Sequence, residues 1–192
     1  MDTIGTRDLS QRPMRADARR NEERLIAAAS EAFAQHGPQV CLEEIARDAG
    51  VGIGTLYRHF PTRQALLEGV YRDQVDALSR EAQELLVAPD PAVALSTWLH
   101  ALLTNNLTRR GLKETLMAGE ISERVTECKM QMHQSGARLL ARAQEASAVR
   151  RDLDISDLLR LVHGISMMVE PDAEGMERAE RLFSVMMAGL QV

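Results

Sequence analysis

Cysteine is nearly absent. Cys41 and Cys128 are the only two in 192 residues, and they lie far apart. That excludes a disulfide-stapled secreted scaffold. Aromatics are scarce as well, at 3% of the chain. Clusters of β-branched residues are sparse, which argues against an all-β fold and, more weakly, against α/β. Only 12 glycines and 6 prolines interrupt the chain. Long hydrophobic runs are missing. The longest stretch without Asp, Glu, Lys or Arg runs from Pro91 to Thr108, and it contains His100, Asn105 and Asn106. It does not read as a membrane span. The opening MDTIGTRDLSQRPMRADARR has no apolar core and carries acids, so it does not read as a signal peptide. A cytoplasmic protein is expected.

Catalytic signatures are missing too. There is no Gly-rich phosphate loop, nucleophile elbow or HExxH helix. His36, His100, His133 and His163 show no metal-ligand spacing. Cys128 and His133 are five apart, off the i, i+4 spacing that aligns two ligands on one helix face. No metal or cofactor is expected, and an enzyme reading has no motif behind it.

What the chain has is helix formers. Ala, Leu, Glu and Arg dominate, with 45% hydrophobic and 27% charged residues, the balance of a globular protein. The net charge of −5 is unevenly spread. Through Gln64, nine Arg balance nine acids; beyond it, 14 basic residues face 19 acidic ones. Such asymmetry points to different jobs for the two parts. Arg7, Arg12, Arg15, Arg19 and Arg20 crowd the first twenty residues against three acids.

Helical periodicity covers most of the chain. Leu25, Ala28, Ala29, Ala32 and Phe33 form one stripe, on a helix expected from near Asp17 to a stop at Gly37-Pro38. Leu42, Ile45, Ala46 and Ala49 stripe a short helix that Gly50 ends. A third runs from Ile53 to His59, burying Leu56 and Phe60. Pro61-Thr62 breaks the chain, with Thr62 as N-cap of a long helix to Leu86. Ala88-Pro89-Asp90-Pro91 reads as a linker. Five helices follow: Ala92–Leu107, Gly111–Ala118, Ser122–Ala146, Ser156–Val169 and Ala173–Leu190.

The second and third helices, joined by a Gly turn, make a helix-turn-helix. An ordinary helical hairpin has the same outline, so the outer face decides. Thr55, Tyr57, Arg58 and His59 can donate to phosphates and base edges. Gly52 and Gly54 bracket Ile53 at the helix start, where a recognition helix approaches bases. Each helical Gly costs about 1 kcal/mol relative to Ala, a cost that suits close approach to a partner. Thr62 and Arg63 open the next helix, whose free N–H groups suit an anion.

The segment LEEIARDAGVGIGTLYRHFPTRQALLEGVY, Leu42 to Tyr71, resembles the signature of the TetR family of transcriptional regulators. With the preceding helix the resemblance covers about Asp17 to Tyr71. It implies an all-α fold, with a three-helix DNA-binding head and a larger helical body for ligand binding and dimerisation. The domains expected are a flexible basic arm (1–16), a helix-turn-helix domain (17–64) and a ligand-binding and dimerisation domain (65–192). The resemblance places Ile53 and Gly54 at base edges, with Ile53 limited to apolar contact such as a thymine methyl. Arg58 is the candidate for polar readout. Thr55, Tyr57 and His59 match phosphate-holding positions. Arg63 stands where a phosphate-binding Lys is usual, and its planar fork can do that job. Arg15, Arg19 and Arg20 are candidates for the DNA backbone or minor groove, or else a solvated tail.

Two departures remove hydroxyls. Cys41 stands at the N-cap of the short helix, where Thr or Ser is common, and it is a poor cap. Gly52 stands where Ser is common.

The body is rich in Met, which fills irregular cores or lines adaptable pockets. By family analogy the ligand site is expected at Trp98, Leu102, Met117, Val125, Cys128, Met132 and His163. The last two helices carry broad apolar stripes: Leu158, Leu159, Leu161, Val162, Ile165, Met168 and Val169 on one, and Leu182, Phe183, Val185, Met186 and Leu190 on the other. A helix apolar on several sides is buried on several sides. Either two subunits meet there or other helices wrap these within one chain. The expectation is a homodimeric repressor, with no membrane partner. It would bind a palindromic operator with half-sites about 34–36 Å apart, or a multiple of that, and a small hydrophobic ligand would release it. A ligand carrier that has lost DNA recognition is the alternative, and a small helical enzyme a third.

Overall fold

Short polar signals set the helix boundaries. The computed structural model describes residues 11–117, 122–170 and 172–192, with side chains except at 11–15, 110, 113, 114 and 117. Among the described residues the helices are α1 (Gln11–His36), α2 (Leu42–Asp48), α3 (Ile53–His59), α4 (Arg63–Leu85), α5 (Pro91–Thr108), α6 (Arg110–Met117), α7 (Glu123–Glu145), α8 (Ile155–Met167) and α9 (Ala173–Leu190). The fold is all-α. No strand occurs among the described residues; a single bridge pairs Val149 with Gln191. No described helix is long and apolar enough to cross a membrane.

α1 starts before the Asp17 expected of it. Pro13 lies within it. Gly37, at φ +77°, ends α1 with its N–H on the Phe33 carbonyl at 3.0 Å. The turn between α2 and α3 is a Schellman motif. The Val51 N–H reaches the Ala46 carbonyl and the Gly50 N–H the Arg47 carbonyl, both at 2.9 Å. Gly50 sits at φ +64° there, a conformation that L side chains rarely adopt.

In the body, the expected linker is partly a cap. Asp90 accepts from the N–H groups of Ala92 (2.9 Å) and Val93 (3.1 Å), and Pro91 takes the first helical position. Ser122 caps α7 and Asp172 caps α9. Asp154 and Asp157 cap α8 reciprocally, each side chain accepting the other's backbone N–H at 3.1 Å.

The chain divides after Val70 into two compact units, with α4 running from the first into the second. In the first, α1 packs on α2 and α2 on α3. Leu25, Ala29, Ile45, Leu56, Leu66 and Val70 are fully buried there. In the second, α5 packs on α7, α8 and α9. Seven of its residues, from Ala94 to Leu107, are buried. Its stretch without Asp, Glu, Lys or Arg is thus covered by three helices.

The apolar stripes of α8 and α9 split in two. Leu158, Val162, Val169, Phe183 and Leu190 belong to the body's own core. Leu161, Met167, Met168, Leu182 and Val185 are exposed, Met168 at 80% and Val185 at 71%.

Candidate nucleic-acid interface and body cavity

Leu56 anchors α3, and Gly54, Tyr57 and Arg58 face outward. Leu56 is fully buried, and Phe60, just after the helix, is buried as well. Gly54 and Arg58 are exposed, and Tyr57 is 46% exposed, so Tyr57 is not a core aromatic. Ile53, Thr55 and His59 are half-buried. Four donors of different reach thus lie on or beside one open face. That face can meet phosphate oxygens and base edges together.

The neighbouring groups limit what each end can add. Gly52 occupies the N-cap of α3 and brings no side chain. Cys41 makes no capping bond to α2; its thiol donates to Glu43 Oε2 at 2.8 Å. That bond holds the Glu43 carboxylate below its ordinary range. A carboxylate paired with the thiol disfavours a phosphate at that point. Thr62 caps α4 by accepting the Ala65 N–H at 3.1 Å.

Arg63 is already engaged. Its Nη1 donates to the carbonyls of Pro38 (2.8 Å) and Val40 (2.7 Å), clamping the α1–α2 loop to the start of α4. Sequence pattern gave no sign of this, because the partners are backbone oxygens. Arg19 and Arg20 are exposed on α1 and paired with acids a turn away: Arg19 with Glu23 at 3.4 Å, Arg20 with Asp17 at 2.5 Å. The side chain of Arg15 lies outside the described residues, as does that of Met117.

The second unit contains a cavity of about 90 Å³. Its apolar lining is Val75, Leu78, Leu102, Met132 and Leu159. Its polar lining is Tyr71, Gln74, Asn105, Asn106, Arg109 and His163. Of the expected ligand residues, Leu102, Met132 and His163 are brought together here. Trp98 is not among them. It is fully buried, its Nε1 donates to the Leu78 carbonyl at 2.9 Å, and its ring lies against Gly136 of α7, where any Cβ would collide with it. Val125 is fully buried away from the lining. Cys128 is half-buried near Asp76, at 4.0 Å, and also off the lining. Burial first, then Asp76, pushes its thiol pKa up. Half the lining is polar. Gln74, Asn105, Asn106 and Arg109 were not foreseen. The available signal was a polar residue interrupting an apolar stripe, as Gln74 does between Tyr71 and Val75.

Tyr71 is buried in the wall, with Lys129 Nζ 5.9 Å from its ring centroid. Burial, and then Cys128, raises its pKa from 10.0 to about 12. The folded state therefore favours the neutral phenol. That contribution is present below pH 10 and is lost as pH rises toward 12. In a Tyr57→Phe chain, where Tyr71 is the sole tyrosine, tyrosinate absorbance is expected to appear near pH 12. A transition near pH 10 in the folded protein would show an open site.

Two family models match. "Bacterial regulatory proteins, tetR family" covers residues 25–70, and "Transcriptional regulator SbtR-like, C-terminal domain" covers residues 90–192. A TetR transcription regulatory protein from Mycobacterium vanbaalenii is similar over 94% of this chain and 100% of its own, at 34% identity and TM-score 0.75. A TetR transcriptional regulator from Streptomyces coelicolor is 31% identical over 88% of this chain and 98% of its own, with TM-score 0.73. A helix-turn-helix-type transcriptional regulator of Staphylococcus aureus strain MRSA252 is 32% identical over 80 residues. The match spans 41% of that curated relative's length.

Proposed function

This chain belongs to the TetR family of transcriptional regulators with helix-turn-helix heads, and from that premise we propose that it is a homodimeric repressor that a small ligand releases from a palindromic operator. The observation that carries the DNA-reading part is the exposed Gly54–Tyr57–Arg58 face of α3 over a buried Leu56. In this reading α3 enters the major groove. Arg58 reads a base edge, Ile53 gives apolar contact, and Thr55, Tyr57 and His59 hold phosphates. Thr62 adds a hydroxyl beside the α4 N-terminus. Arg63 supports the site by fixing the α1–α2 loop, and Arg19 and Arg20 steer DNA from α1.

The dimer reading is supported by the exposed apolar residues of α8 and α9. Leu161, Ile165, Leu182, Val185 and Met186 line an open groove of about 360 Å³. A copy of the same face would remove them from water at about 25 cal/mol per Å² of apolar surface. Ligand release is supported by the cavity in the second unit. α4 connects its Tyr71, Gln74 and Leu78 to Arg63 through one continuous helix. A ligand with different affinity for two positions of α4 would shift their populations.

Selection of bound DNA from a random duplex pool tests the reading. The expected product is a palindrome whose half-sites are a whole number of helical turns apart. A folded, dimeric protein that enriches no sequence would refute DNA recognition and favour the carrier alternative.

A further inference from the structure

The cavity in the second unit holds an unusual group. Gln74 is 8% exposed, and its Nε2 has no hydrogen-bond partner among the described residues. Buried side-chain amides are nearly always satisfied, so a bare one calls for an occupant. Arg109 belongs to the lining around it, and among the described lining residues there is no Asp or Glu. Tyr71 stays neutral there and adds no repelling charge.

We propose that this cavity takes a small carboxylate, its anionic head against the Gln74 amide and the Arg109 guanidinium and its short apolar tail over Leu102, Met132 and Leu159. The inference rests on the reading of the second unit as a ligand receptor. Amide and guanidinium both donate, so the head must accept. A guanidinium further favours an anion over a neutral carbonyl, and its fork matches a carboxylate's two oxygens. Size sets the tail. The cavity is about 90 Å³, and an apolar cavity of about 150 Å³ accommodates benzene. A branched or linear tail of about three or four carbons is therefore the scale. The apolar wall excludes a bare inorganic anion as the best fit, because it would leave Met132 and Leu159 against nothing.

Calorimetric titration of the full chain with butanoate and 3-methylbutanoate tests this, with 1-butanol and 3-methyl-1-butanol as neutral counterparts. The carboxylates are expected to bind at least about tenfold more tightly than the alcohols. Gln74→Leu is expected to weaken them by about tenfold or more, while raising the thermal midpoint of the free protein, because an unsatisfied buried amide is gone. Arg109→Gln is expected to remove the preference for carboxylate over alcohol. Alcohols binding as well as carboxylates would overturn the proposal. So would carboxylate affinity unchanged in both variants, as when water alone satisfies Gln74, or the absence of carboxylate binding at millimolar concentration. Operator affinity measured beside it separates the two claims. Carboxylate binding that leaves operator affinity unchanged supports the ligand class and defeats ligand release. Operator binding by a protein that no carboxylate enters defeats the ligand class alone.

Discussion

Trp98→Ala is expected to lower the stability of the body by about 3–5 kcal/mol, with a further ~1 kcal/mol from the lost indole hydrogen bond. The side chain is fully buried at the point where α5 meets α4 and α7. Its Nε1 ties α5 to the Leu78 carbonyl, and its ring fills the space left by Gly136. Alanine would leave a void that the helices around it cannot close without moving Ile155, whose Cδ1 lies 3.0 Å from where a Cβ on Gly136 would stand. Single domains are stable by about 5–15 kcal/mol, so the variant is expected to be largely unfolded at modest urea. Circular dichroism during urea titration reads the change. Trp98→Phe is expected to retain most of the packing and lose mainly the hydrogen bond. A near-unchanged midpoint for Trp98→Ala would mean that the residue borders open space, as a ligand contact does.

The same residue shows where sequence reading stopped. A lone Trp in a helical body reads equally as a core post or a ligand platform, because apolar periodicity reports which face is covered and not what covers it. Val125, fully buried, is open to the same two readings. Helix positions were legible because they rest on local chemistry. Gly37 and Gly50 need positive φ, Pro91 suits a first turn, and each acts within a few residues. The extent of α1 before Asp17 was harder, since Pro13 is a residue that disfavours a helix interior. The outer face of α3 was legible at Tyr57 and Arg58, whereas Thr55 and His59, expected on the same face, are half-buried. It combines one buried leucine with polar neighbours, and the short turn before it fixes its register.

The exposed apolar face of α8 and α9 was legible only as an excess of apolar residues. Leu158 and Val162 are needed inside the chain, Leu161 and Met168 are not, and only three dimensions separate them. Arg63 is the converse. Its family position suggested a phosphate, and its guanidinium is bound to two carbonyls 23 and 25 residues earlier in the chain.

Arg58→Ala and Arg63→Met are expected to separate reading from support. Arg58 is exposed on α3 and holds no part of the core. One bidentate base contact is worth about 1–3 kcal/mol, and a two-fold dimer makes it twice, so Arg58→Ala is expected to cost about 2–6 kcal/mol of operator affinity. That is a loss of about thirtyfold to more than ten-thousandfold at fixed salt. Binding to unrelated DNA is expected to fall far less, because phosphates carry it. The unfolding midpoint is expected to stay within about 0.5 kcal/mol of the parent, as for most surface changes. Arg63→Met reverses this pattern. Losing its bonds to Pro38 and Val40 is expected to cost the head about 1–2 kcal/mol of stability, and affinity for all sequences is expected to fall together. A direct phosphate contact from Arg63 would instead lower the salt slope by about one per half-site with stability intact. Operator affinity measured at several salt concentrations, beside urea unfolding, distinguishes the two. If Arg58→Ala left the preference for the palindrome over unrelated DNA unchanged, α3 would be lying on the backbone and specificity would have to come from DNA shape.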